Sequence, residues 1–221
     1  MNSNIRIDIV SDIMCPWCVV GFRRLKLGMD QFDERVKFDV IWHPFELTPD
    51  MPPAGMNLYG WLSERYGMSP QQVLSSRQEL MVLGEQLGFE FNYQPQMRMY
   101  NTYRAHQLLH WAADYGTKQT ELKLALFAAH FTHHRNISDL AVLLDIVKQT
   151  GLNVEKARCI LEDGRYRKAV RDDQMYWRNR GVQGVPYFVI NEKSAIVGAN
   201  SPDVFVDAIK YHGRSHLQAD E

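Results

Sequence analysis

Ile5, Ile7 and Ile9 alternate with Arg6 and Asp8, and that two-residue period predicts a strand with one face turned to a core. Ser11 and Asp12 interrupt it. Phe22, Leu25, Met29 and Phe32 then recur at helical spacing, which predicts a helix with one apolar face. Its first turn holds Pro16, where a missing N–H costs nothing. Val36, Phe38, Val40 and Trp42 alternate again, predicting a second strand that Pro44 ends. The chain thus opens β–α–β.

Pro49, Pro52, Pro53 and Gly55 then read as a linker or long loop. From about Leu58 to Leu161 the period is helical. Pro70 opens a helix carrying Val73, Leu80, Leu83 and Leu87, and Gly88 closes it. Asn101 opens another, with Ala105, Leu108, Leu109 and Ala112 on one stripe. Leu122 to Phe131 is apolar nearly all round, which predicts a buried helix. Ser138 is placed to cap a helix through Leu140, Leu143, Leu144 and Val147, with Gly151 as its stop, and Asn153 to cap the next. Asp163 to Arg180 reads as one long polar helix with Tyr166, Val170 and Trp177 inward and Gly181 at its end. Gly184-Val185-Pro186 leads into a strand from Tyr187 to Asn191, with Ala195 to Val197 as a hairpin partner. Ser201 and Pro202 start a last helix on Val204, Phe205, Ala208 and Ile209, and the tail after Tyr211 reads as frayed. The order β–α–β, helical block, α–β–β–α predicts an α/β fold split by an insertion. The expected division is residues 1–50 with 163–221, and an α-helical insertion over 51–162.

Hydrophobic residues make up 45% of the 221 and charged residues 23%, enough apolar matter for a core. Lys+Arg is 25 against Asp+Glu 26. So even a balance speaks against a nucleic-acid partner or an anionic membrane surface, both of which call for basic clusters. No apolar run approaches the roughly 18 residues of a membrane span. The N-terminal stretch lacks the basic start and apolar core of a secretory signal, so the expected location is cytoplasmic. Three cysteines are too few for a disulfide framework, and cytosolic thiols are held reduced. Any disulfide should therefore be transient and chemical.

Two of those cysteines, Cys15 and Cys18, stand three apart where the first strand meets the first helix. Thiol–disulfide exchange needs a thiolate that attacks and a second thiol that resolves the mixed disulfide. This spacing at a helix start supplies both. The N-terminal sulfur faces free backbone N–H groups and the positive end of the helix, which lowers its pKa. Cys15 is therefore expected as the exposed nucleophile, and Cys18 as the more buried resolving thiol with the higher pKa. Zinc would need further ligands, and no second such pair exists. Pro186, opening a strand after a tight turn, is a candidate cis peptide. In that form it would present the Val185 backbone to an incoming extended chain.

Cys15-Pro16-Trp17-Cys18, the helical block and Gly181-Val182-Gln183-Gly184-Val185-Pro186 together resemble the DsbA-like thioredoxin superfamily, in particular its cytosolic FrnE-like oxidoreductases. Trp42-His43-Pro44-Phe45-Glu46-Leu47, Asn101-Thr102 with Ala105-His106, and Val197-Gly198-Ala199 extend the likeness over nearly the whole chain. The resemblance implies a thioredoxin fold with a helical insertion and a cis bond before Pro186. It further implies dithiol–disulfide oxidoreductase activity, with Cys15, Cys18 and Pro186 catalytic and Pro16, Trp17 and Val185 contacting substrate. Trp17 stands where periplasmic DsbA has a thiolate-stabilising histidine, so a strongly oxidising potential is not expected. The same branch includes 2-hydroxychromene-2-carboxylate isomerases and kappa-class glutathione transferases, which carry serine at the position of Cys15.

The expected partners are protein or peptide thiols and disulfides. Glutathione stands as a candidate co-substrate, and no metal or tightly bound cofactor is called for. Two alternatives make different predictions. A glutathione-dependent isomerase or transferase of small aromatic substrates should survive Cys18→Ala. A redox-independent chaperone-like binder should survive loss of both cysteines. Glu46, or Asp12 just before the motif, is a candidate proton shuttle beneath the thiols. Cys159 reads as a buried, inert thiol. His106 and His110, like His130, His133 and His134, read as core or surface histidines rather than ligands. Trp61, Tyr66, Tyr93, Tyr100 and Tyr103 read as packing, with a cleft beside the insertion as the alternative.

Overall fold

The computed structural model describes residues 3–52 and 54–214. Strand β1 (Ser3–Ser11), helix α1 (Pro16–Met29) and strand β2 (Val36–Pro44) form the opening unit. A short β3 (Met56–Asn57) leads into α2 (Leu58–Tyr66) and α3 (Pro70–Gln86), and β4 (Arg98–Met99) follows them. Helices α4 (Tyr103–Ala112), α5 (Lys118–Phe131), α6 (Leu140–Gln149) and α7 (Val154–Asp163) come next. The chain closes with α8 (Arg167–Asn179), β5 (Tyr187–Ile190), β6 (Ser194–Val197) and α9 (Pro202–Arg214).

The main sheet has the order β2-β1-β5-β6. β1 and β2 are parallel, while β5 runs antiparallel to both β1 and β6. The alternation in β1 sorts its side chains between two faces. Ile5, Ile7 and Ile9 enter the main core with Leu25 of α1 and Phe205 and Ile209 of α9. Val10 packs with Phe45, Trp177 and Val182 on the other. α5 covers the edge of β2 through Gln119. Its Oε1 accepts the Trp42 N–H at 3.0 Å, and its Nε2 donates to the Trp42 carbonyl at 3.0 Å. A side-chain amide so replaces a missing strand and blunts an open edge.

Three details differ from the sequence expectation. First, β3 and β4 form a ribbon, pairing Met56 with Met99 and Asn57 with Arg98. Second, Asp139, not Ser138, caps α6, its carboxylate accepting the Val142 N–H at 3.0 Å. The charged acceptor suits the positive helix end better than a hydroxyl. Third, the expected helix from Asp163 starts only at Arg167, because Gly164 takes the left-handed φ of +66° and ends α7. Tyr166 then lies at the start of α8 and is half-buried, while Val170 and Trp177 are buried as expected. Helix α9 runs to Arg214, and the rest of the expected frayed tail lies outside the described residues. Among the described residues no helix is long and apolar enough to cross a membrane.

Candidate functional site

β1 delivers the chain to Asp12, and three residues later Cys15 takes the cap position of α1 with extended backbone (φ −90°, ψ 110°). Pro16 at the first helical position fixes the turn. One turn on, the Cys18 N–H donates to the Cys15 carbonyl at 3.1 Å. Both cysteines are free thiols. The Val185–Pro186 peptide is cis, and Pro186 is buried beside α1. Gly21 permits that approach, since a Cβ there would lie 2.9 Å from Phe188 and 3.1 Å from Pro186. The Cys15 thiol donates to the Val185 carbonyl at 3.5 Å. The structure thus brings Cys15, Cys18, Val185 and Pro186 together, with Pro16 half-buried and Trp17 exposed beside them.

Cys15 is only 4% exposed and Cys18 is fully buried. Their relative order is the expected one, but Cys15 is not an exposed sulfur. It opens instead on a partly open cavity of about 280 Å³ rimmed by the exposed Trp17 and Tyr66. The expected ionisation order is also reversed in this reduced geometry. Contact with Cys18, together with burial, holds the Cys15 thiol above its ordinary range. Burial works against the Cys18 thiolate too, yet contact with Cys15 and the charge of Lys123 pull it down. The geometry agrees, because a carbonyl oxygen at Cys15 accepts a proton and repels a thiolate. In this geometry Cys15 holds its proton against the Val185 carbonyl and must pass it on before it attacks.

Lys123 of α5 is the residue that sequence reasoning missed. It is fully buried. Its ammonium lies 5.2 Å from the Trp42 ring centroid and 5.0 Å from that of Phe127, and donates a long bond of 3.5 Å to the Ser11 carbonyl. Burial lowers its pKa to about 8, despite the negative charges of Cys18 and Asp12. A signal was present, since a lysine inside a run that is apolar all round has nowhere to go but inward. Asp12 faces the same region and is also fully buried. Against the cost of burial, His106, the Leu47 N–H at 2.8 Å and the Lys123 charge keep its carboxyl below the usual range. His106 Nε2 lies 3.0 Å from the Phe45 carbonyl and 3.5 Å from Asp12, so that nitrogen carries a proton.

Glu46 is buried, with Gln174 donating to it at 3.0 Å. Burial raises its pKa, but it does not line the Cys15 cavity, and Asp12 is the carboxylate whose charge acts on Cys15, while its backbone bonds Cys18. Cys159 is exposed, not buried as expected. The inward stripe of α7 is Ala157, Ile160 and Leu161, and Cys159 falls beside it. His106 and His110 share no ligand position, since His106 bonds Phe45 while the His110 ring lies tilted against that of Tyr166, 5.4 Å between centroids. Among the described residues no group of three or more His, Cys, Asp or Glu is arranged to hold a metal. Of the aromatics, Trp61, Tyr66 and Tyr93 line the Cys15 cavity, while the Tyr103 hydroxyl donates to the Arg167 carbonyl at 2.8 Å.

The profile of the DSBA-like thioredoxin domain matches residues 6–210. The chain belongs to that family. The chain is 28% identical over 206 residues to the uncharacterized protein YwbO of Bacillus subtilis, covering 93% of this chain and 96% of that one. Among solved structures it is similar to the probable DsbA oxidoreductase SCO1869 of Streptomyces coelicolor, with 28% identity and a TM-score of 0.87 over 94% of this chain and 89% of that one. The fold is also that of the cytosolic disulfide reductase DsbM of Pseudomonas aeruginosa, solved with GSH, at 17% identity and a TM-score of 0.63 over 95% and 99% of the chains.

Proposed function

We propose that the protein is a cytoplasmic dithiol–disulfide oxidoreductase in which Cys15 attacks and Cys18 resolves. The observation that carries this reading is the pair itself. Two free thiols stand one helical turn apart, the second within the field of a buried cation and the first in contact with the Val185 carbonyl before cis-Pro186.

The incoming partner, a protein or peptide disulfide or glutathione disulfide, docks along the Val185 backbone and displaces the Cys15 proton from that carbonyl. The proton passes to the Cys18 thiolate. Cys15 then attacks the substrate disulfide, forming a mixed disulfide and releasing one thiolate. Cys18 gives its proton to that thiolate, attacks the Cys15 sulfur and releases the second half as a thiolate, leaving a Cys15–Cys18 disulfide. A cytosolic dithiol or glutathione returns two electrons, and the cytosolic poise, near roughly −220 to −320 mV, favours this reducing direction. Lys123 holds negative charge on the pair, and Asp12 limits that charge. No metal or organic cofactor takes part in these steps.

The test is equilibration of the protein in glutathione buffers of graded potential, followed by alkylation and mass spectrometry of each cysteine. A reversible two-electron Cys15–Cys18 couple is the expected result. Accumulation of glutathione on Cys15 alone, with Cys18 untouched, would overturn the reading in favour of a glutathione-dependent isomerase or transferase.

A further inference from the structure

The cavity onto which Cys15 opens has about 280 Å³, near the lower end of the roughly 300–1,000 Å³ range of small-ligand pockets. Leu58, Trp61 and Leu62 of α2, with Met99 and Phe131, make its walls apolar. Among the lining residues Arg77 is the charged one. Arg77 of α3 is only 8% exposed. Its Nη1 donates weakly to the Tyr93 hydroxyl at 3.4 Å, and its guanidinium lies 4.9 Å from the Tyr93 ring centroid. Its buried Nε has no hydrogen-bond partner. Among the described residues no carboxylate pairs with it. A buried guanidinium with an unused N–H is costly, and an anion seated against it recovers that cost.

We propose that this cavity is a small-molecule site for an organic acid with an apolar or aromatic body, whose anionic group meets Arg77 and whose sulfur exchanges with Cys15. The proposal rests on the oxidoreductase reading and names a substrate class for it. The walls choose the class. Glutathione spreads two carboxylates, an ammonium group and two peptide amides over its length, and apolar side chains with one cation leave most of these groups without partners. An apolar monoanion leaves no charge unpaired. In the exchange, the Cys15 thiolate attacks the ligand's disulfide, bonds to the ligand half and expels the other half as a thiolate. Cys18 then attacks the Cys15 sulfur and releases the ligand as a thiolate. Two electrons have passed from the cysteine pair to the ligand disulfide, and a dithiol reductant restores the pair.

The test uses the full chain carrying Cys159→Ser, so that the exposed thiol does not report. Binding of 2-naphthoate, which has no sulfur, is followed by quenching of tryptophan fluorescence and compared with neutral 2-naphthamide. Separately, the reduced protein reacts with the anionic disulfide 5,5′-dithiobis(2-nitrobenzoate) and with neutral 2,2′-dithiodipyridine. Saturable naphthoate binding, about tenfold or more tighter than naphthamide, is expected from one charge-assisted contact. Arg77→Gln should abolish that preference and slow the anionic disulfide about tenfold relative to the neutral one, and Arg77→Lys should restore part of it. Equal binding of acid and amide by the unsubstituted Arg77 protein would overturn the proposal whether or not any Arg77 variant folds. So would displacement of naphthoate by a cysteine peptide bearing an apolar side chain, which would assign the cavity to a polypeptide. Naphthoate bound with the expected preference, but no reversible cysteine couple in glutathione buffers, would instead leave the acid site standing and remove the oxidoreductase reading.

Discussion

Asp8 within β1 and Asp12 just beyond it anchor two buried ionic clusters that differ in how completely they are paired. At Asp8 the partners match. His43 Nε2 lies 2.8 Å from Asp8, its Nδ1 lies 3.0 Å from Asp173, and Arg6 adds a contact of 2.8 Å to Asp8. At Asp12 they do not. Lys123 rests over two rings with one long hydrogen bond, and His106 reaches Asp12 only at 3.5 Å. A fully paired buried cluster clamps elements together, here β1, β2 and α8. An under-paired one is expensive, and it lies where a neighbouring group changes charge. The thiols are that group.

Breaking the packing around Lys123 gives the largest expected effect. Phe127→Ala should destabilise the protein by about 3–5 kcal/mol, measured by urea unfolding, because the ring is fully buried in the core and faces the ammonium. Next is the paired cluster. Against the cost of burial, Asp173 and Asp8 hold the His43 pKa above 6.5. Its contribution is therefore complete below pH 6.5 and is lost as pH rises through the raised value. His43→Asn should cost about 3 kcal/mol at pH 6 and progressively less above neutrality, with the thiol titration unchanged.

Lys123→Met should act in the opposite sense on two readouts. In the reduced protein the thiolate loses its cation. Alkylation of the pair at pH 7 should slow about ten- to a hundredfold, one to two units in pKa. Stability moves the other way, because in this same dithiol form the cost of burying an ammonium disappears. With a folded pKa of about 8 against 10.5 unfolded, that cost is full below pH 8 and gone above pH 10.5. The variant should then gain up to about 3 kcal/mol at pH 7, a gain that vanishes over that window. A Lys123→Met protein with unchanged alkylation would make the Asp12 cluster merely structural. Asp12→Asn sharpens the comparison, since removing a negative charge should lower the thiol pKa where Lys123→Met raises it. The smallest effect belongs to Cys159→Ser, an exposed position. Its stability should stay within about 0.5 kcal/mol, and the redox midpoint should not move.

The strands, α1 and the placement of Cys15 and Cys18 were legible because period and punctuation agree there. The β3–β4 ribbon was not, since two-residue strands carry no period. Gly164 was overlooked because the polar pattern runs on past it. Lys123 and Arg77 were hidden by their type, as a cation on a helix ordinarily points to water. Their positions told otherwise. Arg77 lies on the stripe through Val73, Leu80 and Gly84, all buried, and Lys123 lies among Leu122, Leu126 and Phe127. The opposite shifts of the two thiols could not be read from the chain, because they rest first on the contact between the sulfurs and on their burial.

The ribbon has one further consequence. Because Asn57 pairs with Arg98, the chain departs toward α2 and comes back at a single point. Everything between, including Trp61, Arg77 and Tyr93, is a cassette whose two ends already touch. Such a segment can be exchanged for one of different length or lining through a junction that is already closed, while the cysteines and their cation stay in place. Related chains can then acquire new pocket chemistry by replacing one module, without redesigning the reactive centre.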